Sequence, residues 1–134
     1  MANPVTTNLD VGSYQLDGGG EFNNDTLTFA GTETIAKGTI LARLTASKKL
    51  VVFVKGGAAG AETPVAVMPY DLTKGAAGDS SIRAQISGNT RLSRLIIAAD
   101  GDASNIDKVV QDQLRNVGIN SFDSIQLQSF DNPQ

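Results

Sequence analysis

The sequence predicts a mainly β domain with one clear helix, an α+β chain built on a small β-barrel-like or β-tulip frame. Three observations carry that prediction. Between positions 34 and 72, three short runs of strand-forming residues are separated by three different kinds of breaker. Residues 81–87 alternate, with Ile82, Ala84 and Ile86 on one face and Ser81, Arg83, Gln85 and Ser87 on the other. One stretch only, 105–116, carries apolar residues at clear helical spacing and meets a glycine where a helix should stop.

Taken from the N-terminus, residues 1–20 read as a flexible arm and 21–134 as the folded β domain. The arm is polar at Thr6, Thr7, Asn8, Asp10 and Ser13, and it ends in the Asp17-Gly18-Gly19-Gly20 joint. Such a stretch cannot bury enough apolar surface to order itself alone. Yet Leu9 and Val11 are two apart, as are Tyr14 and Leu16, which is strand spacing. Either the terminus frays or the segment folds on a partner. In the second case Val5, Leu9, Val11, Tyr14 and Leu16 are the residues that would make contact.

Residues 25–29 (DTLTF) alternate cleanly, with Leu27 and Phe29 sharing a face. A further strand-compatible stretch, 32–36, leads to a Lys37-Gly38 turn. Ile40, Ala42 and Leu44 then alternate with Thr39, Leu41 and Arg43, which predicts one well-buried face. After a polar loop of hairpin length at 45–49, residues 50–54 are apolar without interruption, which fits a strand covered on both sides. The third run, 64–69, is bracketed by Pro64 and Pro69. Prolines cannot donate to a ladder, so this strand is expected to be short and at a sheet edge or rim. Loops 55–62 and 73–80 are rich in Gly and Ala and offer little to pack. The 81–87 strand should stop at Gly88-Asn89, and 90–99 reads as a short helix or turn running into a strand. For the helix, Ser104 is the expected N-cap, with Asp107 in the first turn. Ile106, Val109, Val110, Leu114 and Val117 form its stripe. Gly118 at C′ should bring Leu114 against Ile119 in a Schellman ending. Ile125 and Leu127 offer a last strand.

Composition removes several function classes. A chain of 134 residues is one domain by ordinary priors and can bury a real core. With 5% aromatic residues and no Trp, that core must be Val, Ile, Leu and Ala, which predicts a thin domain partly dependent on neighbours. Net charge is −3 and the bases are scattered, with Lys48-Lys49 the one adjacent pair, so the concentrated positive footprint of a nucleic-acid binder is missing. There is no Cys and no His, which takes away thiolate chemistry, the commonest general base and the commonest zinc ligand. The first ten residues lack the basic and apolar regions of a signal peptide. No apolar run nears the roughly 20 residues of a membrane span. The expectation is a soluble chain with no cofactor, no nucleic-acid partner and no membrane partner.

The remaining candidate chemistry is thin. Asp100-Gly101-Asp102 with Ser104 and Asp107 could suggest a calcium loop, but Ile106 stands where the loop glycine should be and no Glu closes it. A turn feeding a capped helix accounts for the same residues. Gly56-Gly57-x-x-Gly60 has no following Lys-Ser or Lys-Thr and no helix to supply donors, so a connector is favoured over a phosphate cradle. Asp71 and Asp79 flank one loop without any sign that they converge. Arg91 and Arg94 could share a helical face and hold an anion, although a surface ion pair is the plainer reading. No catalytic constellation emerges, and the chain reads as a non-enzyme.

From about residue 33 to 119 the chain resembles the lambda-type head decoration proteins of tailed bacteriophages. The resemblance rests on Lys37-Gly38-Thr39-Ile40-Leu41, on Lys49-Leu50-Val51 after a polar turn, and on Thr63-Pro64-Val65-Ala66-Val67-Met68 with Tyr70-Asp71-Leu72. It continues through the alternating strand that ends at Gly88 and a helix closed by Gly118-Ile119. It is a match of order and pattern rather than a strict motif.

What the resemblance implies is a virion protein made in the host cytoplasm. It would assemble as a homotrimer on the outer surface of the expanded head, over local threefold positions, and stabilise it. The N-terminal arm would be loose in the free protein and would add strands to the major capsid protein. The family brings no catalytic, cofactor or metal residues. The long arm with its triple glycine and the tail beyond about Phe122 depart from the pattern. The alternative is a small β-barrel or β-clip ligand-binding module, where a similar Lys-Gly-Thr-Ile-Leu lead-in also occurs.

Overall fold

The computed structural model describes Tyr14 and residues 20–122. Strand β1 (Glu21–Phe29) starts directly after Gly20, and β2 is Glu33–Ile35. The central frame is β3 (Ile40–Arg43), β4 (Leu50–Val52) and β5 (Pro64–Val67). Then come β6 (Leu72–Lys74), the long β7 (Gly78–Arg91), a 3₁₀ turn at Leu92–Arg94, helix α1 (Lys108–Asn116) and β8 (Ile119–Phe122).

The main sheet runs β1-β4-β3-β5-β7-β8, and β1 also pairs with β7. That extra pairing closes the first five strands into a barrel, with β8 added parallel to the outer half of β7. The mainly β prediction holds. Two of the seams are short: β1 meets β4 at Leu27–Leu50 and β5 meets β7 at Val67–Gln85. A small antiparallel pair, β2 with β6, stands apart.

Two apolar clusters lie on the two faces of the barrel wall. Leu27 and Phe29 of β1, Leu41 of β3, Leu50 of β4, Ala66 of β5, and Ile82 and Ala84 of β7 form one cluster. All five barrel strands contribute, so this is the barrel interior. The other cluster takes the opposite parity: Ile40 and Ala42 of β3, Phe53 after β4 and Val67 of β5. Against these pack Leu95, Ile97, Ile106, Ile119 and the α1 residues Val110 and Leu114. The helix layer therefore covers one flank of the barrel, and the wall is buried from both sides.

This corrects two expectations about the frame. Strand β3 has two buried faces, with Ile40, Leu41 and Ala42 all fully covered, because its outward residues meet the helix layer. Strand β5 is interior, between β3 and β7, despite its proline. Pro64 is tolerated because it is the first residue of the strand, beside a register shift at Leu41/Ala42. In addition, β5 registers with β7 only at its far end, Val67 with Gln85. The apolar run at 50–54 follows expectation only in part: Leu50 and Val52 face the interior while Val51 and Phe53 face the helix layer, but the strand ends at Val52 and Val54 is 41% exposed.

Strand β7 passes through Gly88 instead of stopping there. Gly88 has φ +130, and its N–H donates to the Gly118 carbonyl at 3.0 Å, where the strand changes partner from β1 to β8. A backbone bend there needs a residue free of Cβ strain, so the glycine turns the strand. The 73–80 loop is likewise shorter than expected, because β6 and the start of β7 occupy much of it.

Helix α1 begins three residues later than the spacing predicts. Its N-cap is Asp107, whose Oδ1 accepts from the Val110 N–H at 3.0 Å, and not Ser104. Ile106 packs from the preceding turn, and Val109 is 63% exposed, so the buried stripe is Val110 and Leu114. The C-terminal end follows expectation. Gly118 has φ +94, its N–H donates to the Arg115 carbonyl at 3.0 Å, and Leu114 and Ile119 share a cluster. The 90–99 stretch is a 3₁₀ turn followed by single bridges from Ile96 to Thr39 and from Ile97 to Asp102. The tail strand expected at Ile125 and Leu127 falls outside the described residues.

One ion pair links the barrel strands. Arg43 at the end of β3 grips Asp25 of β1 through both guanidinium nitrogens, at 2.6 and 3.2 Å, and also donates to the Lys48 carbonyl at 2.7 Å. The hydrogen bond from Arg43, opposed in part by burial, holds the Asp25 carboxyl below its ordinary value. A depressed carboxylate contributes stability that is full above its unfolded pKa, about 3.9, and is lost as pH falls through the folded value. Asp25→Asn is expected to cost about 1 kcal/mol at pH 7 and less near pH 2. Urea midpoints at the two pH values check this; an equal cost at both would show that the charge is not what matters.

Candidate functional site

The acidic and glycine-rich candidates turn out to be local structure. Asp102 Oδ1 accepts from the Ser104 N–H at 3.0 Å, while Asp107 caps α1 and takes the Lys55 ammonium at 2.8 Å. These contacts, led by Ser104 and by Lys55 respectively, lower both carboxyls. No cluster of three or more metal-capable side chains occurs among the described residues. Gly57 donates to the Val54 carbonyl in a turn, with no helix behind it. Asp71 accepts from the Lys37 N–H at 2.7 Å, whereas Asp79 is held by Lys49 at 2.6 Å and Thr28 at 2.8 Å. The two are engaged by different elements. Arg91 ends β7 and Arg94 lies in the 3₁₀ turn, so they do not share an α-helical face.

A shallow groove of about 600 Å³ runs along the outside of the β1–β7 pair, lined by Asn24, Asp25, Tyr70, Ser81 and Arg83 among others. Its polar groups are largely occupied. Asp25 is paired with Arg43, the Arg83 N–H donates to the Tyr70 hydroxyl at 3.2 Å, and the Arg83 guanidinium sits 5.9 Å from the Phe22 ring centroid. Nothing in it forms a nucleophile with a base beside it, which acyl or glycosyl transfer would require.

Of the five arm residues proposed as contacts, Val5, Leu9, Val11 and Leu16 lie outside the described residues. Tyr14 is described, and it is part of the body: 2% exposed, within the cluster under the helix layer. Its hydroxyl donates to Gln85 Oε1, and the Gln85 amide donates to the Ser87 carbonyl at 2.9 Å. The Tyr14 carbonyl accepts from the Arg91 N–H at 2.5 Å. Burial raises the phenol well above its usual pKa, so it stays neutral and available as a donor. The arm boundary at residue 20 therefore does not coincide with the edge of the core.

Sequence reasoning missed Gln85 because alternation places it on the polar face with Ser81, Arg83 and Ser87. That face is solvated only over the first half of β7; at Gln85 it is covered. A second missed residue is Gly38. Its N–H donates to the Met68 carbonyl at 2.8 Å and its carbonyl accepts from the Ile96 N–H at 2.9 Å. With φ +94, and with the place of a Cβ only 2.5 Å from the Arg94 carbonyl, this junction admits glycine alone. The Lys37-Gly38 turn thus joins the frame to the 92–97 segment next to Tyr14.

A family model, that of the bacteriophage lambda head decoration protein D, matches residues 13–119. The chain belongs to this family. No curated protein matches the sequence. The matched span takes in Tyr14 and Ile119, which lie in the same buried cluster, together with the barrel and α1. Membership assigns the chain to the phage capsid as a structural decoration protein.

Proposed function

We propose that the protein binds as a homotrimer to the outer surface of the expanded phage head at local threefold positions and stabilises the shell. The N-terminal arm adds strands to the major capsid protein. The observation that carries this reading is the family match over residues 13–119. The β1–β7 pairing is consistent with it, because β1 is engaged along its whole length within the barrel. We assign recognition by strand addition to the arm, in which Val5, Leu9, Val11 and Leu16 keep their role as proposed contacts. Residue 14 does not, because it is buried in the body.

The energetics favour trimer binding. Each added backbone hydrogen bond contributes roughly 0.5–1.5 kcal/mol net, against about 1–2 kcal/mol per residue for ordering the chain. One arm alone binds weakly, and three arms on one trimer raise avidity by about 10²–10⁴. Co-sedimentation with expanded and unexpanded heads tests the reading. The full-length protein is expected to pellet with expanded heads only, and light scattering at tens of micromolar is expected to give three times the chain mass. A monomer, or equal binding to both head forms, would count against it.

A further inference from the structure

Tyr14 is a buried tyrosine that the capsid role does not require. The body spends a good deal on it. Its ring lies with Ile40, Ala42, Val67 and Leu95 under the helix layer, and its Cβ lies 3.6 Å from the point where a Gly38 side chain would begin. Its hydroxyl reaches Gln85, which is fully buried. Gln85 is also the one β7 residue in register with both neighbours, Phe22 of β1 and Val67 of β5, so it marks the point at which the barrel closes. The main chain is held as well, through the Arg91 N–H. Ring, hydroxyl and backbone are thus each fixed by a different part of the fold, and six residues separate this fixed point from the start of β1.

From this we infer that Tyr14 is the anchor of the N-terminal arm, seated in the free protein against the barrel closure at Gln85. It is a positioning residue that sets where residues 1–13 leave the body. The inference rests on the proposed role of the arm and deepens it. A tether rooted at Tyr14 has 13 residues before it, and one rooted at the start of β1 has 20. Effective concentration falls roughly as the −3/2 power of tether length, which is about 1.9-fold per arm and about sevenfold for three arms together. The anchored arm also starts from a fixed point of the body.

The test separates the anchor from the capsid role. The chain contains two tyrosines and no tryptophan. In full-length Tyr70→Phe the ultraviolet emission therefore comes from Tyr14 alone, and the exposed Tyr70 is the safer one to lose. Acrylamide is expected to quench this emission with a constant at least threefold below that of the same protein in urea. A smaller difference overturns the inference whether or not heads are bound. The second measurement uses full-length Tyr14→Ser and Tyr14→Phe with expanded heads, at a temperature where circular dichroism shows both folded. Tyr14→Ser is expected to bind several-fold more weakly than wild type, and Tyr14→Phe, which keeps the ring seated, within twofold of it. Wild-type affinity in Tyr14→Ser would overturn the positioning role. Failure of the wild type to bind heads would instead sink the proposed function and leave the quenching result to decide the anchor.

Discussion

Removal of residues 1–13 is expected to weaken binding to expanded heads by about 10²-fold or more, while the melting temperature of the body stays within about 2 °C of wild type. The first half follows from the near-cancellation of hydrogen-bond gain and ordering cost in a single arm. Almost all affinity above that of the body then comes from three arms acting together, and deletion removes it at once. The second half follows from Tyr14, which this deletion spares with its contacts to Gln85 and Arg91. Deleting six residues more, through position 19, takes the ring out of the core and is expected to lower the melting temperature as well. The pair of truncations separates recognition from stability. Unchanged head binding after the shorter deletion would show that the shell is gripped by the barrel surface.

Phe29→Ala and Phe53→Ala are each expected to cost about 3–5 kcal/mol. Both side chains are 1% exposed, one in the barrel interior and the other under the helix layer. Against a total stability of about 5–15 kcal/mol for a domain, either loss is severe, about 10–25 °C in melting temperature. A single cooperative transition is expected for both variants. Strands β3, β4 and β5 give alternate residues to the two clusters, so the helix layer cannot leave without unroofing Ile40, Ala42 and Val67. A two-step melt of Phe53→Ala, with loss of helical signal preceding loss of strand signal, would show that the layer is an independent unit. Thermal scans followed at helix- and strand-weighted wavelengths distinguish the outcomes.

Patterns set by immediate neighbours were legible in the sequence. Leu27 and Phe29 alternate with threonines and are buried together. Gly118 ends α1 in the left-handed conformation that only a residue without Cβ takes at little cost. The uninterrupted run from Leu50 to Val54 signals a strand with apolar cover on both sides, which holds for Leu50 through Phe53 and fails at the exposed Val54. Local rules misled wherever a distant partner changed their terms. Two prolines argue for an edge, but β5 is interior because its ladder with β7 is needed only at Val67. Ser104 is a good cap, yet Asp107 is the cap actually used, and Lys55 from a distant loop holds its carboxylate. Gly88 reads as a stop; it is a bend at which β7 exchanges β1 for β8, and no local signal marks a strand that arrives from residue 119.

The sequence by itself determined the class: a β chain with one helix, no histidine or cysteine chemistry, and the ordered pattern of a head decoration protein. Periodicity, turn residues and composition are local properties and can be read from one chain. The barrel-like frame expected from the sequence is borne out, but only the tertiary structure decided which strands close it, that its wall is buried from both sides, and that Tyr14 belongs to the core. Closure depends on β1 meeting β7 some sixty residues away, and the burial of Tyr14 depends on Gln85 and Arg91, about seventy-five residues distant. Alternation gives the two faces of a strand, but which face meets water is fixed by the elements that pack against it.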